Sequence, residues 1–278
     1  MTPAGNRLSG KIAIITGAGN GIGAGCALRF AEEGATVVVA EIDETAGRRT
    51  VQAIEAAGGA ARFQQTDITR PDDVRAMIED TVASYGKLDI LWNNAGGAVP
   101  GTDAGETMLE RLTVEEWDQT HALSLRSVFL GLKYAVPHMR RNGGGVVLCT
   151  ASVAGLRGGA NLDHYNVQKA GVIRLVQGYS QTIGRDNIRL NAIAPGFTLT
   201  DASRAYRPAG TDESIFEIAQ PLPRVGLPRD IANCGLFLAS EEGSFITGLT
   251  IPVDGGWWAN APMDERYVLA AAAAQKAN

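Results

Sequence analysis

Ser152, Tyr165 and Lys169 are the residues whose types and spacing point most directly to chemistry. Tyr165 and Lys169 stand four apart, which on a helix puts a phenol and an ammonium on one face. A phenol with its ordinary pKa of about 10 is a poor base at neutral pH, but a nearby ammonium favours the phenolate. Such a phenol can take the proton of an alcohol or return one to a carbonyl. The hydroxyl of Ser152, thirteen residues before Tyr165, can hold the oxygen that gains or loses that proton. A Tyr-x-x-x-Lys pair alone arises often by accident, so a second signature is needed elsewhere.

That signature is Thr16-Gly17-Ala18-Gly19-Asn20-Gly21-Ile22-Gly23, which follows the apolar run Lys11–Thr16. A strand-to-helix turn that holds a pyrophosphate needs glycine where side chains would collide, and a helix N-terminus aimed at the anion. Gly17, Gly21 and Gly23 have the spacing, although a chain with 34 glycines offers chance matches, and placement after the first strand is what carries the reading. Glu41, after the run TVVVA, can accept hydrogen bonds from adenosine ribose hydroxyls and would repel a 2′-phosphate, so NAD is expected rather than NADP. Asn20 is neutral, and Arg48 and Arg49 are expected to be solvated on the following helix. The alternative for Glu41 is a charge favoured at a helix start, a part that Asp43 fits better. Asp67 can either meet the adenine amino group or cap a turn, and spacing does not decide between them.

These residues need a frame. The apolar run Lys11–Thr16 and the segment Thr36–Ala40 read as buried strands, and Arg62–Gln65, Leu88–Trp92, Val146–Thr150, Ile188–Ile193 and Thr250–Val253 read as further strands. Between them lie helical patterns at Gly21–Glu33, Thr45–Ala57, Pro71–Tyr85, Thr113–Arg141, Asp163–Gly184 and Arg229–Ala239. Alternation of this kind predicts a doubly wound parallel α/β sheet with helices on both faces. Ligands of such sheets bind beyond the carboxyl ends of the strands, where every motif above falls. No linker or repeat interrupts the chain before about residue 257, and one domain is expected.

The 278 residues carry 45% hydrophobic and 20% charged side chains with a net charge of −5, which fits a globular chain. No Lys/Arg run suggests nucleic acid, no apolar stretch is long enough to span a membrane, and Met1–Gly10 lacks a signal-like apolar core. Cys26, Cys149 and Cys234 have no metal spacing and are expected to be small buried hydrophobes in a reducing cytoplasm, so no metal is expected.

Taken in order, TGAGNGIG at 16–23, NNAG at 93–96, Ser152, YNVQK at 165–169 and IRLNAIAPG at 188–196 resemble the short-chain dehydrogenase/reductase family. RVGLP at 224–228 and SFITGLTIPVDGG at 244–256 extend the resemblance over roughly residues 8–257, leaving 258–278 as an extension. The resemblance implies a Rossmann-like domain with seven parallel strands and an NAD-dependent interconversion of a secondary alcohol and its ketone. It implies Tyr165 as acid/base, Lys169 on the nicotinamide ribose and Ser152 as ligand of the substrate oxygen. Asn94, Ala95 and Gly96 would line the cofactor, as would Asp67 and the adjoining Ile68. Pro195, Gly196, Thr198 and Thr200 would hold its carboxamide and phosphate end. One position departs from the family pattern: Ser124 stands where an asparagine holds a water that links the lysine to solvent. A proton relay that is weakened or rerouted, with activity retained, is the expectation. The alternative from another class is a dinucleotide-binding protein without catalysis, against which the intact Ser152, Tyr165 and Lys169 argue.

Substrate selection is expected from Gly97–Leu112, with Asp103, Glu106 and Glu110, from a lid-like segment Asp201–Pro223, and from the flanks of the serine and tyrosine (Val153, Leu156, Arg157; Asn161, Leu162, His164). His164 is expected to point away from Tyr165 toward the surface. A neutral, rather apolar or cyclic alcohol fits this border better than an acyl-carrier-protein thioester. The family implies tetramers through the helices at 113–141 and 163–184, whose mainly apolar faces, such as Val128, Leu132, Val172 and Val176, allow this. The tail, with its alanine run Ala270–Ala274, either packs on a neighbouring subunit or is disordered.

Overall fold

The computed structural model describes residues 5–97, 109–158, 162–201, 203 and 220–259. Expectations for Asp103, Glu106, Asn161, most of the segment 201–223 and the tail from 260 lie outside them.

Seven strands form one sheet: β1 (Ile12–Thr16), β2 (Thr36–Glu41), β3 (Ala60–Gln65), β4 (Ile90–Asn93), β5 (Gly145–Thr150), β6 (Ile188–Pro195) and β7 (Thr250–Val253). Their order is β3-β2-β1-β4-β5-β6-β7, and every pairing is parallel. The helices are α1 (Gly21–Glu32), α2 (Glu44–Ala56), α3 (Pro71–Tyr85), α4 (Val114–His121), α5 (Ser127–Arg141), α6 (Asp163–Ile183) and α7 (Pro228–Ala239).

The apolar runs are continuous because the sheet is covered on both sides, and strand periodicity deals alternate residues to two cores. Ile14, Val38, Leu91 and Val147 pack with α3, α5 and α6. Their chain neighbours Ile15, Val39, Trp92 and Leu148 pack with α1 and α7 on the opposite face. Strand order reverses beside β1, between β2 and β4, so the carboxyl ends of β1 and β4 open a crevice at the place such sheets use for ligands.

Local signals set the helix ends. Pro71 opens α3, and Gly86 closes it in the left-handed region at φ 76°. Asp43 caps α2 by accepting from the N–H groups of Thr45 and Ala46, as its position suggested. The pattern over Thr113–Arg141, expected as one helix, is interrupted. Between α4 and α5 the backbone runs through a π turn at Ala122–Arg126. Apolar periodicity cannot register such a turn, which adds one residue without breaking the helical path.

Among the described residues no helix is long and apolar enough to cross a membrane. The three cysteines are free thiols. Burial pushes Cys149 up to about 12 and Cys234 up to about 11, which leaves both as poor nucleophiles.

Candidate active site

The strand ends are tied by hydroxyls and one amide. Thr16 Oγ1, at the end of β1, accepts from the N–H groups of Asn94 and Ala95, both at 3.0 Å. Asn94 Nδ2 donates to the Thr16 carbonyl at 3.0 Å. On its other side, Asn94 Oδ1 accepts from Thr150 Oγ1 at 3.1 Å, and Thr150 Oγ1 accepts from Trp92 Nε1 at 2.9 Å. This lattice fixes the chain after β1, β4 and β5 as one platform. In the sequence Thr16 stands out only as part of the turn, and Thr150 not at all. The signal available there is that polar residues close otherwise apolar strands.

Lys169 rises into this platform from α6. It is 3% exposed, and its Nζ donates to the Thr150 carbonyl at 2.8 Å. Burial lowers its pKa to about 8. The same ammonium stands 5.6 Å from the centroid of the Tyr165 ring, one helical turn back. Ser152 leaves β5 in extended conformation, and its Oγ accepts from the N–H of Ala154 at 3.1 Å, capping the short 3₁₀ turn Val153–Gly155. That turn lies on α6 so closely that a Cβ on Gly155 would sit 2.6 Å from the Lys169 carbonyl carbon. The serine turn and the lysine therefore share one packed joint. A Cβ on Gly96 would be 3.2 Å from Lys169 Nζ and 3.6 Å from Ser124 Oγ, so Gly96 separates these two groups. Ser124 is fully buried in the π turn.

The glycine turn has the features of an anion cradle. Gly17 takes φ +63°, and a Cβ there would lie 2.9 Å from that of Ala95. A Cβ on Gly23 would lie 2.0 Å from the Gly17 carbonyl oxygen, so only glycine lets α1 start this close to the strand. At the α1 N-terminus no side chain among the described residues caps the helix, and no acid stands in its first turn. The contrast with Asp43 on α2 and Thr113 on α4 is internal to the chain. Asn20 at the cap position is turned outward and accepts from Arg49 Nη2. The first N–H groups of α1 are thus left to a ligand, and a pyrophosphate fits their chemistry. Thr200 lies over the same turn, with its Cγ2 3.1 Å from where a Gly21 Cβ would be.

The remaining predicted positions fall around this cradle. Glu41 accepts from Gly19 N–H at 3.0 Å and from Ile42 N–H at 2.9 Å. Asp67 Oδ1 accepts from both the N–H and the Oγ1 of Thr69, so its turn-capping part is realised. Ile22 and Ile68 are half-buried against the two cores. Pro195 ends β6, and Gly196 follows it hard against Asp254, with a Cβ position 2.5 Å from the Asp254 Cβ. Thr198 is buried, and its Oγ1 donates to the Gly196 carbonyl at 3.3 Å.

A family model described as Enoyl-(Acyl carrier protein) reductase matches residues 17–258. The chain belongs to the short-chain dehydrogenase/reductase family. It is 35% identical over 250 residues to the 3-oxoacyl-[acyl-carrier-protein] reductase of Thermotoga maritima, covering 90% of this chain and 98% of that protein. To the cyclohexanol dehydrogenase of Acinetobacter sp. strain SE19 it is 35% identical over 254 residues, covering 91% and 96%. The solved structure of a 7α-hydroxysteroid dehydrogenase with NADH and 7-oxo glycochenodeoxycholic acid superposes with a TM-score of 0.84 at 36% identity, covering 92% of this chain and 97% of that one.

Membership makes the protein an oxidoreductase that acts on CH–OH groups with a nicotinamide cofactor. One expectation for its side chains needs correction, and one gains partners. His164 is not at the surface: it is 1% exposed, its Nε2 has no hydrogen-bond partner among the described residues, and burial lowers its pKa. It is buried in protein, and Glu116 of α4, a helix that packs on α6, and Asp163 lie close enough to be felt. Arg49 is exposed yet committed, with Nη2 donating to the Gly19 carbonyl at 3.4 Å as well as to Asn20. Helical periodicity places a Cα, whereas this long side chain reaches away from its helix to the glycine loop.

Proposed function

We propose that this chain is an NAD-dependent dehydrogenase/ketone reductase for a neutral, apolar or cyclic secondary alcohol, with cofactor and catalytic residues in one domain. The observation that carries the reading is the Lys169 ammonium, buried, anchored on the Thr150 carbonyl and facing the Tyr165 ring. The nicotinamide supplies the hydride acceptor or donor. Tyr165 takes the proton of the alcohol as the ketone forms, or returns it in reduction. Lys169 favours the phenolate through its charge and binds the nicotinamide ribose. Ser152 holds the substrate oxygen. Ser124 steadies the floor beneath Lys169.

Gly17, Asn20, Gly21, Ile22 and Gly23 form the pyrophosphate turn, and Glu41 receives the adenosine ribose hydroxyls. Asp67 and Ile68 border the adenine, Asn94, Ala95 and Gly96 the ring junction, and Pro195, Gly196, Thr198 and Thr200 the carboxamide and phosphate side. The preference for NAD over NADP follows from the Glu41 charge, held at the turn by three backbone N–H groups. A cyclic alcohol is favoured by the cyclohexanol and hydroxysteroid enzymes among the relatives and by the apolar border at Val153 and Leu156. The protein is proposed to work in the cytoplasm as a homo-oligomer, a tetramer or dimer. Val128, Leu132, Val172 and Val176, expected on the subunit face, are turned into the core instead, and the face formed by the π turn, α5 and α6 that carries Leu125, Phe129, Leu175 and Tyr179 is apolar and open, and suits a second copy.

The test is NAD⁺ reduction by the purified protein across cyclic and acyclic secondary alcohols, with Tyr165→Phe as control. Turnover that the control loses supports the reading. NAD⁺ binding with no turnover on any alcohol or on the corresponding ketones counts against it.

A further inference from the structure

We infer that Arg49 is a specificity-determining residue, a cation stationed at the ribose end of the dinucleotide site whose attraction for a 2′-phosphate is cancelled by Glu41. The inference rests on the reading of the glycine turn as a dinucleotide cradle.

One peptide carries both charges. The N–H of Gly19 donates to Glu41 Oε2 at 3.0 Å, while its carbonyl accepts from Arg49 Nη2 at 3.4 Å and Thr50 Oγ1 at 3.2 Å. Glu41 Oε1 also accepts from the N–H groups of Ile42 at 2.9 Å and Asp43 at 3.3 Å, so its charge cannot swing away from the turn. The carboxylate lies directly on the turn. A Cβ on Gly19 would be 2.8 Å from Glu41 Cγ and 2.9 Å from the Cβ of Ala46.

The other formal charges nearby are occupied with each other or with backbone. Arg48 Nε donates to Glu44 Oε1 at 2.7 Å, and Asp43 Oδ1 accepts from the N–H groups of Thr45 and Ala46. Arg49 instead uses one nitrogen, Nη2, on two neutral oxygens. A guanidinium has five donors in a planar fork suited to phosphate. Arg49 thus brings positive charge and donors to the edge of the ribose site.

A 2′-phosphate adds roughly one and a half to two negative charges at the ribose. Beside the fixed carboxylate of Glu41 that charge is repelled. With the carboxylate neutralised, the fork of Arg49 is the group that can take it. Specificity here is a balance of two opposed charges on one peptide, and one substitution should tip it.

Binding of NAD⁺ and NADP⁺ to the full chain, measured by isothermal titration calorimetry, tests this. Glu41→Gln keeps one acceptor oxygen for Gly19 N–H and removes the charge, while its amide NH2 replaces the oxygen that accepts from the Ile42 and Asp43 N–H groups. It should tighten NADP⁺ binding by about tenfold or more, the usual scale when a charge-assisted hydrogen bond forms and a repulsion is removed. Glu41→Gln combined with Arg49→Gln should lose that improvement. Arg49→Gln in the otherwise unchanged chain gives a measurement that does not depend on how well the Glu41→Gln chain folds. It should weaken NADP⁺ several-fold more than NAD⁺, because only the former meets the fork. A Glu41→Gln chain that binds NADP⁺ no more tightly, an improvement that survives loss of Arg49, or equal effects of Arg49→Gln on both dinucleotides overturns the inference. Failure of the unchanged chain to bind either dinucleotide is a separate result, which takes down the reading of the cradle and this inference with it.

Discussion

Ser124 and Gly97 exchange two hydrogen bonds: Ser124 Oγ donates to the Gly97 carbonyl at 2.7 Å and accepts from the Gly97 N–H at 3.1 Å. A serine hydroxyl has one proton, and here it is given to a peptide rather than held toward Lys169. The residue therefore latches the π turn to the chain leaving β4. Ser124→Ala should destabilise the protein by about 1–3 kcal/mol, the cost of leaving a buried peptide unpaired, and urea unfolding would measure it. Ser124→Asn restores an amide beside the lysine and should change kcat and its pH profile. If neither moves, the rerouted relay is wrong.

Much of this was legible in the sequence, for physical reasons. Strands buried on both faces must be unbroken apolar runs, so β1, β2 and β5 stood out, and proline and glycine marked both ends of α3. The glycine turn was readable because close backbone approach excludes every other residue at Gly23. The π turn at 122–126 was not readable, since one extra residue leaves apolar spacing almost intact. Nor were the destinations of His164 and Arg49. Which neighbour a side chain meets depends on elements distant in sequence: α4 for the histidine, the first loop for the arginine.

Lys169 makes a pH prediction. Burial lowers its pKa in the folded chain to about 8 from an ordinary 10.5. Between those values the unfolded chain binds more protons, so the lysine's penalty is fully present below pH 8 and is relieved as pH rises toward 10.5. Lys169→Met should remove that rise. The stability difference between variant and parent, from denaturant midpoints, should change by about 3 kcal/mol between about pH 7 and about pH 10.5. A difference independent of pH would mean that Lys169 is not a desolvated ammonium.

Glu33 makes the opposite one. It is 3% exposed and meets Arg7 and Arg29 guanidinium nitrogens, each at 2.6 Å. These partners, Arg7 foremost, lower its pKa from 4.5 to about 2. Its contribution is present above pH 4.5 and is lost as pH falls toward 2. Glu33→Gln should cost about 3 kcal/mol at about pH 7 and less than about half of that at about pH 3, read from denaturant curves of the two proteins. Equal losses at both values would show a packing effect without a charge.

Thr150 joins the platform to the lysine through two different groups. Its hydroxyl accepts from Trp92 Nε1 and donates to Asn94 Oδ1, while its carbonyl receives Lys169. Thr150→Val preserves shape and the carbonyl but leaves a buried indole N–H and an amide oxygen without this partner. A loss of about 1–3 kcal/mol is expected for the indole alone. Thr150→Ser keeps the hydroxyl, loses only a methyl, and should recover most of it. Because Asn94 also braces Thr16 and Gly17 at the start of the glycine turn, Thr150→Val should weaken dinucleotide binding too. Calorimetric binding of NAD⁺ to both variants separates the cases. If the valine variant loses stability but binds as the parent does, the platform holds the fold alone. If binding falls and serine restores it, the strand ends position the cofactor as one unit.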